Sequence, residues 1–191
     1  MVASYDFTGP RALVDGKTEV HTIWYLPATA RITAVTNTTN PTITTSTPHG
    51  LAAAGRVRVA GVTGAEGVNG GWLVLAVPDA RSFTLTMPAP GVYTGGGRAG
   101  MPIDTTGYTA RLHVRDAADT AATLLTLTSE DGGLMLGGAD GSIVIRFSKS
   151  ATAPLSVTWR RAVYELELIA ASGAVLPVAA GTIAVRSGVA R

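Results

Sequence analysis

Strict alternation of apolar and polar residues is the feature that most constrains the fold of this chain. In residues 108–115, the apolar Ala110, Leu112 and Val114 are separated by single polar residues. Because successive side chains of a β-strand point to opposite faces, this period of two predicts a strand with one apolar face. The same alternation returns in residues 162–168, which predicts a second strand of the same kind.

Glycine-dense segments separate the alternating stretches and predict tight turns. Residues 131–133 read Asp-Gly-Gly, and residues 137–141 read Gly-Gly-Ala-Asp-Gly. They lie between the apolar segments 124–128 and 142–147, and such residues are typical of hairpin turns. We therefore predict a meander of antiparallel strands over residues 102–147.

The composition changes sharply at about residue 31, where a segment rich in Thr, Gly, Val and Ala begins. Residues 72–77 are apolar at every position, which is expected of a central strand in a small closed sheet. Residues 95–97 are three glycines and are expected to form a flexible exit. The strand candidates of this segment are residues 32–36, 42–47, 56–60, 72–77 and 82–87.

These observations predict an all-β chain, with an antiparallel β-sandwich-like domain and an inserted small β-barrel. Residues 1–30 and 101–191 would form the discontinuous sandwich, and residues 31–100 would form the barrel. The insertion requires residues 19–26 to pair with strands beyond Pro102. The alternative is two domains in series, which would leave the first thirty residues as an isolated pair of strands that is marginal in water.

Composition excludes several classes of function. The chain has no cysteine, so disulfides, zinc–thiolate sites and thiol catalysis are excluded. The net charge is +2 and the arginines are scattered, so a nucleic-acid-binding stripe is not expected. Residues 168–185 are long and apolar, but Gly173 and Pro177 predict a hairpin that turns near Ser172, and no membrane insertion is expected.

The histidines and acids do not have the spacing of a metal or catalytic site. His21, His49 and His113 share no ligand spacing, so no metal and no cofactor are expected. We interpret His49 as a turn residue whose ring bonds the local backbone. Glu165 and Glu167 lie on one strand face, which favours a solvated or Arg-paired face over an acid pair.

The remaining candidates also have structural interpretations. Five aspartates next to small residues are interpreted as Asx turns rather than as paired catalytic carboxylates: Asp15, Asp79, Asp104, Asp131 and Asp140. Three tryptophans could form a sugar-stacking platform, but core packing is the favoured interpretation at this aromatic content: Trp24, Trp72 and Trp159.

Two portions of the chain resemble known families. The sandwich segments resemble the N-terminal domain of upper baseplate proteins of tailed bacteriophages, through the following motifs: residues 102–108 entering 111–115, residues 125–128, 136–145, 152–153 and 164–168, and the closing residues 181–185. This resemblance implies an all-β domain that anchors receptor-binding fibres to the tail. It also implies assembly in the host cytoplasm and a place in the virion.

The barrel segment resembles a small β-barrel module of phage tail proteins. The resemblance lies in residues 47–51, 57–64, 69–72 and 83–85. The module is also similar to the first catalytic-cysteine half-domain of ubiquitin-activating enzymes. Since this chain has no cysteine, that second similarity implies the fold and no activity.

The resemblances lead to the expectation of a structural tail protein, a baseplate or fibre-attachment adaptor, and not an enzyme. It would dock to other tail or baseplate proteins and form a homo-oligomer. Arginine-rich strand faces are the candidate interface: Arg56, Arg58, Arg111 and Arg115. The alternatives are a module that binds host-surface glycan, a capsid decoration protein and, as the third class, a glycan hydrolase.

Overall fold

The computed structural model describes residues 3–4, 13–14, 17–152 and 161–186, and strands dominate them. Helix in these residues consists of α1 (Lys149–Thr152) and two 3-10 segments, Glu66–Val68 and Gly138–Asp140. The strands are β1 Ala3–Ser4, β2 Leu13–Val14, β3 Glu19–Trp24, β4 Ala30–Val35, β5 Thr42–Thr45, β6 Arg56–Thr63, β7 Gly70–Asp79, β8 Ser82–Leu85, β9 Gly95–Gly100, β10 Thr109–Arg115, β11 Leu125–Thr128, β12 Leu134–Leu136, β13 Ser142–Phe147, β14 Arg161–Ile169 and β15 Val175–Arg186. The all-β prediction is confirmed.

The chain divides into two compact units. The sandwich unit comprises Met1–Tyr25 and Asp104–Arg191, and the barrel unit comprises Leu26–Ile103. The boundaries expected from composition, at residues 31 and 100, lie a few residues inside those of the barrel unit.

The larger sheet of the sandwich unit has the strand order β1-β15-β14-β10-β11, with β2 also paired to β15. β10 and β14 are antiparallel, and Leu112 lies opposite Leu166. The hairpin from β14 to β15 turns at Gly173, whose N–H donates to the Ala170 carbonyl at 2.8 Å. This confirms the turn predicted near Ser172.

Two pairings in this sheet differ from the antiparallel prediction. β1 and β2 both run parallel to β15, with Ala3 opposite Ala179 and Leu13 opposite Val185. Each of these strands is only two residues long, so neither carries an alternation that could be recognised in the sequence.

The smaller sheet has the order β12-β13-β3. β3, which precedes the barrel unit in sequence, pairs antiparallel with β13, which follows it, and Ile23 lies opposite Ile143. The meander prediction for residues 102–147 is therefore only partly right. β10 pairs with β11 and β12 pairs with β13, but the two pairs belong to different sheets.

Period-two alternation produces the core of the sandwich unit. Along β10 and β14, every second side chain is buried, as the sequence predicted. In β13, Ile143, Ile145 and Phe147 are fully buried. Each such side chain contributes roughly 1.5–3 kcal/mol when it leaves water, so these alternating positions hold the two sheets together.

The barrel unit is a closed sheet with the order β4-β5-β8-β7-β6-β9. β9 closes it by pairing with both β4 and β6, and Ala99 lies opposite both Ala30 and Val59. The interior is filled mainly by aliphatic side chains around the fully buried Phe83. Because Ala30 and Ala99 are direct partners, the chain enters and leaves this barrel at adjacent points.

The expected flexible exit at residues 95–97 is wrong, because these glycines begin β9. At Gly97, where φ is +91°, a Cβ atom would lie 2.4 Å from the Val62 Cγ2 atom. The strands approach so closely here that a side chain cannot be accommodated. The glycines therefore allow the barrel to close, and the sequence pattern alone could not distinguish this from flexibility.

We expect the barrel unit to be removable. Its partnered end residues, Ala30 and Ala99, lie about 5 Å apart, as cross-strand partners do. Replacing residues 30–99 by a short Gly-Ser linker should therefore leave the sandwich unit folded, with slow amide exchange in β10 and β14. Hydrogen–deuterium exchange by mass spectrometry measures this, and loss of protection in both strands would contradict it.

Candidate docking surfaces

The outward face of β10 carries the first pair of candidate arginines. Arg111, His113 and Arg115 alternate with the buried residues of this strand and are each partly exposed. Their cross-strand partners on β14 include Glu167 opposite Arg111 and Glu165 opposite His113. We call these five residues the sheet face.

Arg111 is engaged within its own unit. Its Nη2 atom donates to Glu167 Oε2 at 2.7 Å, and the two side chains are 40% and 20% exposed. The Arg-paired interpretation of Glu167 is confirmed. This ion pair links β10 to β14, so Arg111 supports the sheet and offers only part of its guanidinium to a partner.

His113 and Arg115 line a shallow groove of about 470 Å³ on the same face. The His113 Nδ1 and Arg115 Nη2 atoms are 3.3 Å apart, and the groove is also lined by Ala180 and Gly181 of β15. Burial, followed by the charges of Arg111 and Arg115, lowers the pKa of His113 below its usual value of 6.5. The imidazole is therefore held in its neutral form beside the arginines.

The second pair of candidate arginines lies on the outward face of the barrel. In β6, Arg56 is opposite Leu73 of β7 and Arg58 is opposite Gly71. Leu73 and Leu75 are 57% and 48% exposed. We call Arg56, Arg58, Leu73 and Leu75 the barrel docking surface.

Residues 72–77 lie in β7 of the closed barrel, as the sequence predicted, but Leu73 and Leu75 within this run are exposed. Val74 is buried inside the barrel, but its two leucine neighbours point outward. A continuous apolar run has no polar positions to mark an outer face, so the sequence could not reveal them. An apolar outer face on a closed barrel is the informative signal here.

The turn residues are confirmed in their structural roles. His49 Nδ1 accepts a hydrogen bond from the Leu51 N–H at 3.0 Å, as interpreted from the sequence. Asp79, Asp104 and Asp131 each accept a backbone N–H two residues further on, which is the Asx turn expected of them. Asp15 lies outside the described residues, as does Trp159.

Both acids of the barrel unit are engaged by backbone. The Gly64 N–H donates to Glu66 Oε1 at 2.7 Å, and this bond is the first cause that lowers the pKa of Glu66. The Arg81 N–H donates to Asp79 Oδ1 at 2.7 Å and lowers the pKa of Asp79 in the same way. Both carboxylates thus stabilise local turns in their ionised form.

The aromatic residues of the barrel do not form an exposed platform. Trp72 packs against the barrel core and donates its indole N–H to the Val68 carbonyl at 2.8 Å. Tyr93 also packs against this core, and its hydroxyl lies 3.0 Å from the Ile32 carbonyl. A sugar-stacking site would need these rings to face solvent.

Comparison with protein-family models and with curated proteins returned no match to this chain. The baseplate resemblance therefore stays a prediction from its motifs. Among the described residues, no helix has the length and apolarity to cross a membrane. Nor do three or more His, Asp or Glu side chains gather there as metal ligands.

The Arg111–Glu167 pair should make a small contribution to stability. In a double-mutant cycle with Arg111→Ala and Glu167→Ala, we expect a coupling of about 0.2–1 kcal/mol, because the pair is partly exposed. Urea unfolding measures it, and the coupling should shrink at about 1 M NaCl because salt screens exposed charges. No coupling at low salt would contradict this.

Acidification should weaken the fold through His113. Its pKa is lowered in the folded state, so the unfolded chain binds more protons as the pH falls below about 6.5. The His113 contribution to stability is therefore complete above that pH and is lost as the pH falls toward the folded pKa. His113→Gln should lose less stability than wild type between about pH 7.5 and about pH 5.5, measured by urea midpoints. Equal losses would contradict this.

Proposed function

We propose that this protein is a structural component of a bacteriophage tail, a baseplate or fibre-attachment adaptor that acts by docking to other tail proteins and to copies of itself. The motifs that resemble baseplate and tail modules support this proposal. The observation that carries it is the barrel docking surface, where two exposed leucines lie beside two arginines.

The composition of this surface favours a protein partner. Protein interfaces combine apolar area with arginine, while lysine and acids are depleted from them. Arg56 lies directly opposite Leu73 in the register of the two strands, and arginine stems commonly cover neighbouring apolar surface. Leu73 and Leu75 are each about half exposed, so covering both contributes roughly 1.5–3 kcal/mol together, enough for them to form the centre of a contact.

Closure of the barrel determines how a partner can bind there. The six strands pair in a ring, so this unit presents no unpaired strand edge. A partner cannot add a strand and must contact outward side chains instead. This makes the identity of the side chains on β6 and β7 decisive for recognition.

Substitution of the exposed leucines should separate docking from folding. Leu73→Ser with Leu75→Ser should reduce incorporation into particles of the encoding phage at least about tenfold, since each 1.4 kcal/mol is a factor of ten. The barrel should stay folded, because both side chains are exposed. Quantitative mass spectrometry of purified particles measures the incorporation.

Val92→Ser is the matched control, because Val92 is 68% exposed on the same unit but lies outside the barrel docking surface. It should be incorporated like wild type. Immunogold labelling of the particles separates tail from capsid, and label on the capsid would favour the decoration alternative. Normal incorporation of the leucine variant would contradict the proposed surface.

A further inference from the structure

A second groove on the barrel unit, distinct from the barrel docking surface, carries two arginines. It has a volume of about 630 Å³ and includes Arg31 of β4 and Arg98 of β9 in its lining. These residues are direct cross-strand partners, and both are exposed. We call this the arginine groove.

The pairing of Arg31 with Arg98 is unfavourable within the barrel itself. Like charges directly opposite each other on neighbouring strands destabilise a sheet. Arg98 Nη1 donates a hydrogen bond to the neutral Thr29 hydroxyl at 3.3 Å, and the Arg31 side chain has no hydrogen-bond or ion-pair partner in the described part of the chain. An arriving pair of carboxylates would relieve this repulsion, which is a reason for an anion to bind here.

The charges of the chain divide unequally between the units. The barrel unit has five arginines against two acids, a formal charge of +3, and both of its carboxylates bond backbone N–H groups. The rest of the chain has ten Lys or Arg residues against eleven acids, a formal charge of −1. Carboxylates that fit the groove are therefore present elsewhere in the same sequence.

Among these acids, Asp116 and Asp119 are the pair that best matches the two arginines of the groove. They flank Ala117 and Ala118: Asp116 precedes, and Asp119 lies within, the turn of residues 117–120 that is closed by the Thr120 N–H to Ala117 carbonyl hydrogen bond at 3.1 Å. All four residues are exposed, and neither carboxylate has a partner among the described residues. We call this segment the acidic turn.

We infer that the arginine groove of one copy receives the acidic turn of a second copy. The groove lining also includes Ala60 and Gly61, whose small size leaves room for the two alanines of the turn. Arginine forms bidentate pairs with carboxylates, and complementary charge fixes orientation more than affinity. This inference rests on the proposed docking function and names one partner, the chain itself.

The contact is heterologous, because groove and turn are different surfaces of each copy. Such contacts repeat from head to tail and close into a ring when the rotation permits. Each copy in a ring uses both surfaces, so many weak contacts add up to a stable assembly. The individual ion pairs can therefore be modest.

Charge reversal tests the inference. Arg31→Glu with Arg98→Glu keeps two like charges opposite each other on neighbouring strands, so the repulsion between the two strands is preserved while the charge that a partner meets is inverted. This variant should be monomeric in sedimentation velocity under conditions in which wild type associates. Asp116→Arg with Asp119→Arg should also be monomeric.

Mixing the two variants gives the decisive result. The groove of each variant is opposite in charge to the turn of the other variant, so association should return. Native mass spectrometry should show the two chains in equal numbers. A single chain with all four substitutions should associate with itself again. Arg81→Glu and Glu130→Arg, exposed charge changes outside both surfaces, should associate like wild type.

Three results would overturn the inference: a wild type that is monomeric throughout a dilution series, reversed variants that still associate, or a mixture that does not. A monomeric wild type retained on alginate, a uronic-acid polymer, through Arg31 and Arg98 would assign the groove to acidic glycan instead. None of these results bears on Leu73 and Leu75. Failure of self-pairing is thus separable from failure of the proposed tail function.

Discussion

The pairing of β3 with β13 is the constraint on which the rest of the structure depends. It joins residues 19–24 to residues 142–147, with the whole barrel unit between them in sequence. Closing so long a loop costs conformational entropy that rises with its length. The barrel reduces this cost, because its end residues Ala30 and Ala99 are cross-strand partners and the folded unit acts as a short link.

Barrel closure has a second consequence, for recognition. Once β9 has paired with both β4 and β6, every strand of the unit has two neighbours. The strands then form their backbone hydrogen bonds with each other. A binding partner can therefore distinguish one part of the barrel from another only by its outward side chains. The chain places leucines and arginines at such positions on β6 and β7.

The sequence predicted those parts of the fold where local pattern and tertiary structure agree. The alternation along β10 and β14 predicted which side chains are buried, and the turn at Gly173 followed from local chemistry. The parallel pairing of β1 and β2 could not be predicted, because two-residue strands have no period. The placement of β1 and β2 depends on their pairing with β15, which is distant in the sequence.

The candidate surfaces could be predicted to a smaller extent. All four arginines proposed from the sequence are on strands β6 and β10, but their pairing with neighbours is set by register between strands distant in sequence. The same holds for Arg31 and Arg98, whose opposition becomes visible only when β4 and β9 close the barrel. The glycines at residues 95–97 that permit this closure resemble a flexible linker when only the sequence is considered.

The sheet face and the arginine groove differ in what a binding partner must displace. At the sheet face, a binding partner competes with Glu167, which already accepts a hydrogen bond from Arg111 at 2.7 Å. Breaking that partly exposed pair subtracts its small coupling energy from the free energy of any new contact. At the arginine groove, a carboxylate removes a repulsion and adds an attraction. We therefore expect the larger electrostatic gain on binding at the arginine groove, although the Arg111–Glu167 ion pair lies on the sheet face.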